Sequence, residues 1–337
     1  CDLTNQPPPA LWKSKILRAA QWIDRKRLPL ESQHPARGLL PAGFSAEHLG
    51  PNDHYYWDDF WSVAGLRSAA RMLETLNQNS AALRLRQEAN DLLVAINQSL
   101  ERTDYLRSIV AYPAAPQRRM DAGAIGSLVA SYPLQLVSPN DERMRALVQF
   151  LRKHCLVDDG FFQDMIHSGI NPYLTLHLAQ VMLRQGDHDS YRLLNRVCQL
   201  ASPTGQWPEA VHPATDGGCM GDGQHAWAAA EWLMAIRNLF VREEEDSLVI
   251  GSGIPAQWQE QDQTIGYGPT PTPWGKLRVA FEFSVYEARL NWQATWYRDP
   301  PTVEVSIPGY ESQTIDMSAP EGVLQVQALN RSNIQPT

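Results

Sequence analysis

From Leu11 to about Phe240 the apolar positions recur at the three-to-four spacing of amphipathic helices. Leu11–Ile23 places Trp12, Ile16, Ala19, Ala20 and Ile23 on one stripe. Phe60–Leu76 does the same with Val63, Ala64, Leu66, Ala70 and Leu73. Ala81–Leu100 is the clearest, with Leu85, Ala89, Leu92, Leu93, Ile96 and Leu100. Shorter or weaker patterns predict helices over Ala122–Tyr132, Asp141–His154, Pro172–Arg184, Ser190–Leu200 and Gln224–Phe240, about eight in all. Long connections carrying Gly, Pro, aromatic and acidic residues separate several of them, at Leu28–Asp53, Leu106–Met120, Val157–Asn171 and Ser202–Gly223. Long ordered loops in a compact domain tend to serve function. Beyond Asp246 the period falls to two. Leu277, Val279, Phe281, Phe283 and Val285 alternate with polar neighbours, then Ala288, Leu290, Trp292, Ala294 and Trp296, then Val303, Val305 and Ile307. The expectation is a mainly α protein with a helical domain over 1–245 and a small antiparallel β module over 246–337, the latter read as a structural cap or part of a sandwich.

Composition changes this picture little. The 337 residues suffice for a large core and two domains, and 43% hydrophobic with 20% charged residues is ordinary for a globular chain. A net charge of -8 speaks against nucleic acid, because phosphate binding requires clustered Lys and Arg. The one dense charge run, Arg242–Asp246, reads as a solvated turn. No apolar run reaches the roughly 18 residues of a membrane span. Cys1, Cys155, Cys198 and Cys219 lack metal-type spacing, and Cys155 and Cys198 read as buried thiols. No metal or other cofactor is expected. No secretory signal is visible, which leans toward the cytoplasm, but the chain begins with Cys and reads as a fragment or a processed product. Compartment and oligomeric state stay open.

Two segments gather carboxylates among aromatic rings. In Asn52–Trp61, "NDHYYWDDFW", Asp58 and Asp59 sit among five large rings. Trp57 and Trp61 could bury Asp58 and Asp59 could repel it, both of which raise a carboxyl pKa. The plainer reading, an acidic first turn that suits a helix dipole, accounts for the acids but not for the rings. In Thr204–Trp232, "TGQWPEAVHPATDGGCMGDGQHAWAAAEW", Glu209 follows Trp207 and Pro208 about 150 residues after Asp58. A carboxylate in such a loop can act as a general base toward water, or simply be a surface acid. Asp222, flanked by glycines, reads as a cap for the next helix.

The order of these segments resembles the six-hairpin (α/α)6-barrel glycosidases, most closely the glucoamylase-like, family 15 type of glycoside hydrolase. "YYWDD" resembles the segment that carries the family's general acid, with Asp58 where the family has Glu. "MDAGAIGSL", Met120–Leu128, resembles the family's Asp-led helix start, with Gly123 in place of Asn. "GFFQDMIHSGINPYLTLHLA" follows its aromatic-Asp stretch into an Asn-Pro helix start, with Ile170 and Tyr173 as departures. "WPEAVH" places Glu209 where the family has its base, ahead of the helix in "HAWAAAEW". The resemblance covers about Leu11 to Phe240 and implies an (α/α)6 toroid. A barrel of that kind has about twelve helices against the eight legible here, so the resemblance further implies the C-terminal two-thirds of a barrel whose first helices lie outside this chain.

What the resemblance implies for chemistry is an inverting cleavage of a glycosidic bond in an oligo- or polysaccharide. Asp58 would protonate the leaving oxygen and Glu209 would activate water on the opposite face, with the carboxyls roughly 6.5–9.5 Å apart. Tyr56, Trp57, Trp207 and Trp227 would line the sugar, with His54, Asp59, Gln163, Asp164 and His225 as hydroxyl partners. The shorter Asp would draw its carboxyl back from the bond by about one methylene. Two other readings stand beside this one. A phosphorylase on the same barrel would want basic residues near the site, and Ser202–Gly223 has none apart from His212. A non-catalytic carbohydrate-binding or scaffold protein would keep the barrel and lose the turnover.

Overall fold

The structure, a computed structural model, describes residues 2–44, 51–164, 169–261 and 263–329. All eight helical patterns become helices. They are α1 (Trp12–Lys26), α2 (Tyr56–Thr75), α3 (Asn79–Thr103), a 3-10 helix at Ala122–Ala130, α4 (Glu142–His154), α5 (Pro172–Arg184), α6 (Ser190–Gln199) and α7 (Ala226–Phe240). The 3-10 segment departs from the expected α-helix. All nine of its residues are buried, and its small side chains have no polar stripe to turn toward water. Helix α2 starts at Tyr56, a turn earlier than its apolar spacing suggests, so Asp58 and Asp59 lie in its first turn.

The chain divides by its own contacts into two compact units. One comprises Pro7–Gln185 and Arg192–Ala229. The other takes the chain from Ala230 onward, with Gly186–Tyr191 and the residues before Pro7. The boundary thus falls inside α7 and ahead of the expected 245/246.

In the helical unit α2 and α3 form a hairpin across the short turn Leu76–Gln78, where Asn77 takes the left-handed φ of 57°. Phe60, Val63, Leu66, Ala70 and Leu73 of α2 join Leu85, Ala89, Leu92, Ile96 and Leu100 of α3 in one core. Burying each large aliphatic side chain contributes about 1.5–3 kcal/mol. Local chemistry sets several helix starts. Asp121 accepts the Gly123 N–H, Asp141 the Met144 N–H and Asn171 the Leu174 N–H, and Pro172 occupies the first turn of α5. Short hairpins punctuate the loops: β1 (Leu156–Val157) with β2 (Gly160–Phe161), and β3 (Ala210–Val211) with β4 (Gly218–Met220). Cys155 is buried as expected, but Cys198 is exposed. The buried stripe of α6 runs through Leu193, Leu194 and Val197, and Cys198 stands one residue round from it.

The second unit holds two four-stranded sheets. The strands are β5 (Val241–Glu244), β6 (Ser247–Ile250), β7 (Thr264–Pro271), β8 (Gly275–Phe283), β9 (Glu287–Trp296), β10 (Thr302–Val305), β11 (Gln313–Ile315) and β12 (Glu321–Gln327). One sheet has the order β11-β10-β6-β5 and the other β12-β9-β8-β7. The expected alternation is present: Leu277, Val279, Phe281 and Phe283 are buried and Lys276, Arg278 and Glu282 exposed. The module is not wholly antiparallel, because β10 runs parallel to β6. Arg242–Glu244 is not a solvated turn either. It pairs with β6, and only the reversal at Glu245 fits that reading. Buried Arg237 of α7 ties the helix to the strands through Glu243 at 2.5 and 2.8 Å, Thr270 Oγ1 at 3.0 Å and the Pro271 carbonyl at 3.0 Å.

Candidate active site

The loops that lead into α2, the 3-10 helix, α5 and α7 carry most of the candidate residues, and all of these lie in the helical unit. At the first, Asp59 is 0% exposed. Its Oδ1 accepts the Leu40 N–H at 2.9 Å, and its Oδ2 is buried without a partner. Burial pushes its carboxyl up to about 8, the neighbouring Asp58 charge adding and the Leu40 N–H opposing. The Leu40 carbonyl in turn accepts from His54 Nδ1 at 2.8 Å. That bond fixes the His54 tautomer and leaves Nε2 as an acceptor. Leu40 thus holds both side chains through its backbone, and the Asp59 carboxyl is wholly buried.

Asp58, one position before it, is half-buried. Burial alone raises its carboxyl to about 6, and among the described residues that carboxyl has no hydrogen bond or ion pair. Trp57 is half-buried with its indole nitrogen unpartnered, and its ring lies 5.8 Å from that of Trp61, which is exposed. Tyr56 corrects an expectation. It is 0% exposed, its hydroxyl meets Ser99 Oγ at 2.9 Å, and it belongs to the core rather than to a surface a sugar could reach.

Three residues not singled out as site candidates join this region to the next. Arg118 donates to the Tyr55 hydroxyl at 3.0 Å, pairs with Asp121 at 3.3 Å, and holds its guanidinium 5.8 Å from the Tyr55 ring centroid. Asp121 is the cap of the 3-10 helix and stands in "MDAG", so a capping signal was there to read. Arg118 and Tyr55 left none, because their meeting spans 63 residues. The Cys155 thiol is raised to about 11 by burial, with the charges of Asp121 and Asp164 adding. Asp164 is exposed. Gln163 is buried and accepts the Asn171 side-chain amide at 3.1 Å, which stiffens the entry to α5.

From there Ile170 and Val211 exchange backbone hydrogen bonds at 2.8 Å, which brings the α5 entry beside β3 and hence beside Glu209. The Glu209 N–H donates to the Met220 carbonyl across the hairpin, and the half-buried residue's carboxylate has no hydrogen bond or ion pair among the described residues. Gly221, at φ 78°, sits so close that an added Cβ would lie 3.1 Å from the Glu209 nitrogen. His225 is half-buried with Nδ1 unpartnered. Burial lowers its pKa, and the charges of Glu209 and Asp222 oppose that. Tyr173 completes the cluster, 6.5 Å from the His225 ring and 5.2 Å from that of Trp227, which is 46% exposed. Asp222 accepts the Gln224 N–H just before α7, close to the capping role expected of it. Trp207, expected to stack on a sugar, is 5% exposed, and its indole N–H donates to the Val197 carbonyl at 2.8 Å. It is a wall of the loop.

Hydrogen bonds and an ion pair thus link Asp59, Tyr55, Arg118 and Asp121, and a second set of backbone bonds joins Cys155, Phe162, Ile170 and Val211 to the hairpin that carries Glu209. Chemically, the arrangement offers one carboxyl that holds a proton near neutrality, one unpartnered carboxylate beside rings, and a histidine with a free acceptor. Among the described residues no group of three or more His, Cys, Asp or Glu could hold a metal ion, and no helix is long and apolar enough to cross a membrane.

No protein-family model matches the chain, and no curated protein matches it. Among solved structures, an α-L-rhamnosidase from Dictyoglumus thermophilum is similar with a TM-score of 0.52 at 10% identity, over 94% of this chain and 36% of that one. A GH78 family rhamnosidase of Bacillus sp. GL1 follows at 0.49 and 14% identity, over 89% and 31%. A bacterial glucoamylase complexed with acarbose follows at 0.48 and 15% identity, over 67% and 37%. The chain spans about a third of the length of these structures. At 10% identity the likeness to the α-L-rhamnosidase is one of fold.

Proposed function

We propose that this chain carries the acid/base machinery of an inverting glycoside hydrolase, built on an α/α toroid of the six-hairpin type. Asp58 donates a proton to the leaving glycosidic oxygen. Glu209 takes a proton from water, which attacks the anomeric carbon from the opposite face. The product sugar is inverted, and the two carboxyls stand roughly 6.5–9.5 Å apart across the scissile bond. Trp57, Tyr173, His225 and Trp227 line the sugar, and His54 Nε2 accepts from one of its hydroxyls.

The observation that carries this reading is the state of Asp58. A carboxyl with no partner among the described residues, raised to about 6 by burial, has the property a general acid requires, namely a proton held close to working pH. The Glu209 carboxylate, without a hydrogen bond or ion pair among the described residues and near enough to His225 for its charge to act there, supports the complementary role. The fold likeness to an α-L-rhamnosidase supports including α-L-rhamnosides among the substrates tested.

The test is a screen of the full-length protein on α-linked and β-linked oligosaccharides and rhamnosides, with product configuration read by NMR. Asp58→Asn and Glu209→Gln should each lower kcat by about 10²–10⁴-fold. A Glu209→Gln variant as active as the parent removes the proposed base, and retention of configuration removes the mechanism. Sugar 1-phosphate formed only with added phosphate would assign the site to a phosphorylase.

A further inference from the structure

The sheet β12-β9-β8-β7 has a second face, away from its buried Val279, Phe281 and Leu290. Residues opposite one another across a ladder share a face. The register therefore sets three rows across it. Arg278, Gln293 and Glu321 form one row. Ala280, Asn291 and Val323 form the next, with Gly266 opposite Ala280. Glu282, Arg289 and Gln325 form the third. Short side chains in the middle row between longer ones make a groove across the strands. A cavity of about 560 Å³ opens there, lined by the first two rows together with Trp292 and Gly322.

The two flanking rows differ in chemistry. In the third, Glu282 lies 3.9 Å from Arg289, and Gln325 donates to Glu287 at 3.3 Å. In the first two, the side chains of Arg278, Asn291, Gln293 and Glu321 make no hydrogen bond or ion pair among the described residues. Four polar groups are left open at one cleft. Strands β8 and β9 are each paired on both sides, so over them the cleft offers a ligand side chains rather than backbone. An anion would meet Glu321 and a cation would meet Arg278. An apolar ligand would bury four unsatisfied polar groups.

We infer that this groove is a binding site for a neutral oligosaccharide, separate from the helical-unit acids. Sugar hydroxyls both donate and accept, which suits two side-chain amides flanked by a guanidinium and a carboxylate. The Ala280 methyl and the half-exposed Val323 face the apolar C–H side of the rings. An open groove suits a chain of sugars rather than a single one.

The test uses affinity electrophoresis and calorimetry of the full chain with maltohexaose, cellohexaose, xylohexaose and mannohexaose, and with hexagalacturonate and a chitosan hexamer as charged controls. Two variants address the groove without touching the buried face: Ala280→Trp, which fills it, and the pair Asn291→Ala with Gln293→Ala, which strips its amides. At least one neutral hexasaccharide should bind, and each variant should weaken it about tenfold or more. No binding by any neutral hexasaccharide, equal binding by both variants, or groove-dependent binding of a charged control alone overturns the inference. It stands apart from the acid/base reading. Groove binding without hydrolysis sinks only the proposed function, and hydrolysis without groove-dependent binding sinks only the groove.

Discussion

Asp58 and Asp59 share one helical turn and one chemistry, and burial separates them. A helix N-terminus favours a carboxylate by about 0.3–1 kcal/mol. A tenfold change in how tightly a carboxyl holds its proton is worth about 1.4 kcal/mol. Burial that raises Asp59 from 3.8 to about 8 therefore outweighs the dipole several-fold. Two predictions belong at this scale. Asp58 must be protonated to act as an acid, so kcat/KM should fall about tenfold for each step of one in pH above about 6. A profile flat from pH 5 to 8 would count against the assignment. For Asp59 the folded state holds the proton more tightly than the unfolded chain does. Its contribution to stability is complete below about pH 4 and lost as pH rises through about 8. Asp59→Asn keeps an oxygen for the Leu40 N–H and removes that slope. The melting temperature of the variant should overtake the parent's between pH 5 and 9, and parallel curves would contradict the burial argument.

Elements act by presenting these side chains. The β3–β4 hairpin holds Glu209, and Gly221 permits its tight return. Alanine there meets a left-handed backbone, costing about 1–2 kcal/mol, and displaces the Glu209 segment. Gly221→Ala should lower kcat more than it lowers the melting temperature, because the displaced atoms carry the proposed base. A variant with normal turnover and reduced stability would show that the hairpin is only structural. Helix α4 gives the control. Asp141→Ala removes a cap and should cost about 1 kcal/mol without changing kcat.

The whole molecule has two compact units, each with its own buried core. Leu92→Ala in the helical core should cost about 2–5 kcal/mol. Hydrogen exchange should then show faster exchange in α2 and α3, with β8 and β9 still protected. Equal loss of protection in both would reveal one cooperative block.

The sequence alone determined the eight helices, the alternating strands β8, β9 and β10 and the near-capping role of Asp222, because periodicity and capping act between residues a few positions apart. It also marked both acid-and-ring segments, whose composition is local. Tertiary structure alone decided which rings face outward. Tyr56 and Trp57 are adjacent, yet one is sealed in the core and the other half-open, and Trp207 gave its indole N–H to Val197. It decided that Asp59 is closed and Asp58 is not, that Cys198 is exposed, that β6 runs parallel to β10, and that the open polar groups of β8, β9 and β12 meet in one groove. Each of these depends on which distant segments approach, and burial, charge and register are properties of that approach.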